Sequence, residues 1–89
     1  MENTQEVRIV NKYGLHARPA AEFVKLANRF ASQVWIAKDD VEVSGKSIMG
    51  VMMLAAEFGS TVRIRAEGDD AGAAVDALAQ LIQNRFGED

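Results

Sequence analysis

The sequence predicts a two-layer α+β fold: a largely antiparallel sheet, with helices on one face and water on the other. Three observations lead there. Strand-like and helix-like segments follow one another in the order β-α-β-β-α-β-α. The strands alternate apolar with polar residues, the pattern of a sheet with one buried face. The chain, 89 residues in all, is long enough for one modest core and too short for two, so residues 1–89 are expected to form a single domain.

Glu6 to Val10 reads as the first strand, with Val7 and Ile9 on one face and Arg8 and Val10 on the other. A turn at Gly14 leads into a helix ending near Ala31. In it Ala20, Phe23, Val24, Ala27, Phe30 and Ala31 recur at helical spacing, opposite Glu22, Lys25, Asn28 and Arg29. Pro19 suits the first turn, where its missing N–H leaves no intrahelical bond unmade. Ser32 to Lys38 is rich in β-branched and aromatic residues, Asp39-Asp40 is a turn signal, and Val41 to Val43 is the returning strand. Trp35, out of phase with Val34 and Ile36, either covers the outer sheet face or marks a contact surface, covering being the ordinary case.

Ser47 is a good N-cap for a short helix running to about Ala56. That helix is apolar almost all round, and only part of it can face one small core. Val51 and Leu54 are expected inside. Gly59 closes the segment. Thr61 to Glu67 then alternates, with Val62, Ile64 and Ala66 inward and Thr61, Arg63, Arg65 and Glu67 outward. Arg63 and Arg65 could form an anion site, but arginines on a wet strand face are more often paired with neighbours such as Glu6 or Glu67. Gly68-Asp69-Asp70 caps the last helix, whose stripe is Ala71, Ala74, Val75, Leu78, Leu81 and Ile82. Gly87 is its stop, and Glu88-Asp89 a polar tail.

Composition narrows the function. A net charge of −3 without any basic run argues against nucleic acid as the main partner. The absence of cysteine excludes disulfides and thiol catalysis, and a single histidine makes a zinc site unexpected, so no metal or other cofactor is expected. The polar, acidic start lacks a secretory signal, and no apolar run approaches the ~20 residues that span a bilayer. A cytoplasmic location is the expectation.

The chemistry gathers at Asn11-Lys12-Tyr13-Gly14-Leu15-His16-Ala17-Arg18-Pro19-Ala20-Ala21. His16 stands just before a helix, whose start offers N–H donors and the positive end of the dipole to an anion. Arg18 adds a guanidinium with fork geometry suited to phosphate oxygens. A neutral imidazole there is a nucleophile that can take a phosphoryl group and hold it transiently. A lone histidine at a helix end is, by itself, more often an ordinary packed or exposed side chain.

The surrounding string favours the first reading. Gly14-Leu15-His16-Ala17-Arg18-Pro19-Ala20 closely resembles the active-site motif of the histidine-containing phosphocarrier (HPr) family of the bacterial phosphotransferase system. Lys46-Ser47-Ile48-Met49-Gly50-Val51-Met52 resembles that family's regulatory serine segment, and the spacing between the two matches. The similarity covers essentially the whole chain. It implies an open-faced β-sandwich with strand order one-four-two-three and three helices on one face. It also implies a relay: Enzyme I, charged by phosphoenolpyruvate, phosphorylates His16 on Nδ1, and His16 passes the group to enzyme IIA domains in sugar uptake. Arg18 and the backbone at Ala17 and Arg18 would hold the phosphoryl oxygens. Such a carrier is consumed and regenerated, so it is not an enzyme in the ordinary sense.

The resemblance further makes Ser47 a substrate of an HPr kinase, a role compatible with capping, and makes Ile48, Met49 and Met52 a docking patch for partners. Adaptable methionines suit such a surface. The chain is expected to be a monomer. Two departures from the sugar-transport pattern keep an alternative open. Asn11-Lys12-Tyr13-Gly14 resembles the nitrogen-related variants, with Tyr13 where a small polar residue is frequent, and Ala21 stands where Thr is often found. A nitrogen-related or mainly regulatory carrier, acting through partner binding, is the second reading.

Overall fold

A computed structural model describes residues 1–87 of the chain. Glu88 and Asp89, read above as a polar tail, lie outside the described residues. The elements follow the predicted order: β1 Glu2–Arg8, α1 Ala17–Ala27, β2 Gln33–Lys38, β3 Val41–Ser44, α2 Ile48–Met53, β4 Thr61–Glu67 and α3 Ala71–Gln83, closed by a turn at Arg85–Gly87 in left-handed backbone. The four strands form one sheet in the order β1-β4-β2-β3, with every pairing antiparallel. This is the open-faced sandwich that the family resemblance implied.

The core lies between the sheet's inner face and the helices. Val7, Val34, Ile36, Val62, Ile64 and Ala66 come up from the strands to meet Phe23, Val51, Leu78 and Ile82 from the three helices. Every one of these sits at a position that alternation or helical spacing marks as apolar. Val51 and Leu54 are buried, as expected. On the outer face, the Arg65 guanidinium lies 3.8 Å over the Trp35 ring and bridges Glu2 and Glu42, each at 2.9 Å. Trp35 therefore covers the outer face. The partners of Arg65 are these two carboxylates rather than Glu6 or Glu67. That hydrogen bonding holds the Glu42 carboxyl below its usual range and pushes the Arg65 pKa up.

Element boundaries shift where side chains outside the periodic pattern intervene. β1 covers Glu2–Arg8 instead of Glu6–Val10, because polar Glu2 to Gln5 pair in register with Ile64 to Glu67. α1 stops at Ala27, short of Ala31. Asn28 turns its Nδ2 back to the Val24 carbonyl, and the next N–H groups, of Arg29 and Phe30, reach only three residues back. α2 stops at Met53, short of Ala56, since Ala55 adopts a left-handed φ of 50°.

The capping expected of Asp70 takes a different form. Asp70 occupies the N-cap of α3, but its carboxylate accepts from the Ser32 hydroxyl and from the N–H groups of Ala31 and Ser32. It clamps the end of the α1–β2 turn to the start of α3. These bonds, the Ser32 hydroxyl foremost, hold its pKa below the ordinary carboxylate value.

Candidate functional site

The loop that carries His16 is fixed by bonds on both sides. Asn11 is fully buried and donates from Nδ2 to the Gly14 carbonyl at 2.8 Å, while the Gly14 N–H reaches the Asn11 carbonyl at 3.2 Å. Leu15 is buried too, and its N–H donates to the Ala56 carbonyl at 2.8 Å. The loop is thus pinned to the segment leaving α2. Gly14 has φ +68°, and a Cβ there would press on the Ala56 carbonyl and lie 2.8 Å from the Glu57 Cα. Only glycine suits that position.

Beyond this anchor the chain turns outward. His16 is the N-cap of α1, in extended backbone, and its carbonyl accepts the helix's first bond from the Ala20 N–H at 3.0 Å. Its imidazole does not fold back to cap the helix. His16, Ala17 and Arg18 are all exposed. The N–H groups of Ala17 and Arg18 precede the first intrahelical bond, so they have no acceptor inside the helix. Pro19, buried at the third helical position, brings no N–H at all. The site is a solvent-facing imidazole beside two backbone donors and a guanidinium, an arrangement that favours an anion.

Tyr13 is a neighbour that pattern reading used only to mark a family branch. Its ring is 70% exposed, meets His16 edge-on at 6.1 Å, and carries the Lys12 Nζ 5.3 Å above its face. A loop residue's contact with a ring three positions on has no periodic signature, so spacing could not have found it.

The second segment packs alongside, since α1 and α2 are in contact. Ser47 is the N-cap of α2, and its Oγ accepts from the Gly50 N–H at 3.1 Å. Lys46, two residues ahead of α2, donates from Nζ at 2.8 Å to the carbonyl of Phe30, in the turn after α1. Ile48, Met49 and Met52 are all exposed, Met49 most of the three at 72%. Met53, at the end of α2, and Phe58, in the loop after it, are exposed as well. Among the described residues no group of three or more metal-ligating side chains occurs.

The sequence and the fold match proteins of known kind. Residues 3–84 match the family model PTS-HPr, described as the phosphorylation site of the HPr component of the phosphotransferase system. The chain belongs to the HPr family. The phosphocarrier protein HPr of Cupriavidus necator is 52% identical over 84 residues, covering 94% of each chain. The crystal structure of HPr-C-His from Thermoanaerobacter tengcongensis superposes with a TM-score of 0.94 at 49% identity, covering 98% of both chains. A crystal structure of an HPr dimer from the same organism gives 0.78 at 52% identity, covering 92% of this chain and 94% of that one. HPr is the phosphocarrier component of the phosphotransferase system, and this chain matches it over nearly its whole length, in sequence at about half identity and in fold. No helix among the described residues is long and apolar enough to cross a membrane.

Proposed function

We propose that the chain is a phosphoryl carrier of the cytoplasm that accepts a phosphoryl group on His16 from Enzyme I and delivers it to enzyme IIA domains in sugar uptake. The observation that carries this reading is the placement of His16: exposed, at the start of α1, with Ala17, Arg18 and their backbone donors beside it. In the transfer the Nδ1 lone pair of His16 forms a bond to phosphorus as the donor histidine's N–P bond breaks. The carrier supplies a nucleophile, alignment and charge for the oxygens, which is most of what such a transfer asks. Arg18 is the side chain able to follow those oxygens, and the Ala17 and Arg18 N–H groups add two donors.

Two partners must reach the same nitrogen in turn, and exposure on a firmly anchored loop permits that. Ile48, Met49 and Met52 serve as the docking surface, exposed apolar side chains on α2, the helix in contact with α1. Ser47 is the regulatory position, half-exposed at the edge of that patch. A phosphate there brings close to two negative charges to a surface that a partner would have to desolvate. The monomer is the acting form, since one copy carries the whole constellation. The residues at Asn11 to Gly14, with Tyr13 where a small polar residue is frequent, and Ala21 where Thr is often found are the features that favour the second reading, a nitrogen-related or mainly regulatory carrier. Incubation with Enzyme I and phosphoenolpyruvate, followed by sugar-type or nitrogen-type A domains, tests both readings. Transfer to the sugar-type domain supports the first, and transfer only to the nitrogen-type domain supports the second. No labelling at all would overturn both.

A further inference from the structure

Three stretches far apart in sequence meet beside the His16 loop. The end of β1 runs on through Ile9, whose N–H and carbonyl bond to Ser60 and Gly59 just ahead of β4. The C-terminal turn closes over the same place, where the Arg85 Nε donates to the Val10 carbonyl at 3.3 Å. Between them lies a surface cleft of about 330 Å³ lined by Val10, Lys12, Phe58 and Arg85. We propose that this cleft binds a small anion with a planar apolar body, of the class of aryl phosphates and aryl carboxylates.

Charge and shape both select that class. Among the described residues that line it, Lys12 and Arg85 are cations and none is acidic, although the chain as a whole is acidic. Phe58 is 61% exposed and offers a flat apolar wall, with Val10 as a second apolar surface. The volume is at the lower end of small-molecule sites and accommodates one ring with its charged group. An inorganic anion would use the cations and leave Phe58 wet; a neutral ring would do the reverse.

Arg85 is held in place for this role. It adopts φ +57° and Phe86 after it φ +55°, two successive non-glycine residues in the left-handed region. That turn buries Phe86 and leaves Arg85 at the surface, tied to Val10. A guanidinium fixed by backbone and hydrogen bond loses little freedom when it binds, which favours affinity. The proposal is independent of any chemistry at His16, although Lys12 also lies over Tyr13 and so borders that loop.

The test is a titration of the isotope-labelled full chain with phenyl phosphate, followed by backbone-amide NMR, with inorganic phosphate in parallel. Saturable shifts at Val10, Phe58 and Arg85 are expected with phenyl phosphate, at lower concentration than any produced by inorganic phosphate. Phe58→Ala and Arg85→Gln should each weaken binding about two- to fivefold, whereas Arg18→Ala should leave it unchanged. Lys12→Gln, at an exposed position, replaces Arg85→Gln if loss of the Val10 bond perturbs folding. Shifts confined to His16 to Arg18 and lost in Arg18→Ala would overturn the proposal. So would equal binding of the two probes, or binding indifferent to Phe58→Ala.

Discussion

Replacing Gly14 by alanine tests how the His16 loop is held. Alanine at φ +68° carries the left-handed penalty of about 1–2 kcal/mol. The new Cβ also meets backbone, the Ala56 carbonyl and the Glu57 Cα at 2.8 Å, and backbone cannot swing aside as a flexible side chain can. Relief requires the loop to lift, which breaks the Leu15 N–H bond to Ala56, worth about 1 kcal/mol, and loosens the buried Leu15. The sum is about 2–4 kcal/mol, or a fall of roughly 10–25 °C in melting temperature for a domain of this size. Circular dichroism melting and hydrogen exchange at the Leu15 amide read the two parts, and phosphoryl acceptance from Enzyme I reads the consequence. Gly72→Ala is the control: it lies inside α3, its Cβ would meet only the Asn3 Nδ2 at 3.5 Å, and helix propensity favours it by about 0.5–1 kcal/mol. Unchanged melting and unchanged Leu15 exchange in Gly14→Ala would show that the contact with Ala56 does not hold the loop.

Three further outcomes are expected. Arg18→Ala should slow phosphoryl transfer by one to two orders of magnitude, the ~1.5–3 kcal/mol of a charged hydrogen bond, with little change in melting because Arg18 is exposed; stopped-flow transfer kinetics check this. Met49→Glu should weaken Enzyme I binding in calorimetry while the chain stays folded, since Met49 is 72% exposed; unfolding would return it to the core. Asp70 has a folded pKa below its unfolded value near 3.9, so its contribution is fully present above about pH 4 and is lost as pH falls through the folded pKa. Asp70→Asn should therefore destabilise the protein at neutral pH and flatten that acid limb in pH-dependent melting.

Much of the fold was legible because alternation and helical spacing report burial directly. Thr61–Glu67 matches the predicted strand residue for residue, and Val51 and Leu54 point inward as the all-apolar α2 segment requires. Polar contacts between distant parts leave no such trace. Asp70 reads as a helix cap until Ser32 is beside it, and Phe30 continues the helical spacing although Asn28 has already ended the helix. Glu2 to Gln5 look like a loose polar end until β4 pairs with them. At the site, the glycine turn and the helix start were legible around His16, whereas the buried Asn11 that fixes the loop and the Tyr13 ring against the imidazole depend on tertiary contacts.

The relay stands on His16 itself carrying the phosphoryl group. Incubation of the isotope-labelled chain with Enzyme I and phosphoenolpyruvate, followed by phosphorus and nitrogen NMR, tests it most directly. One phosphoramidate resonance is expected, coupled to Nδ1 of His16, labile in acid, and absent in a folded His16→Ala variant. Acid-labile phosphate persisting on that variant, or a wild-type chain that takes no label from charged Enzyme I, would contradict it.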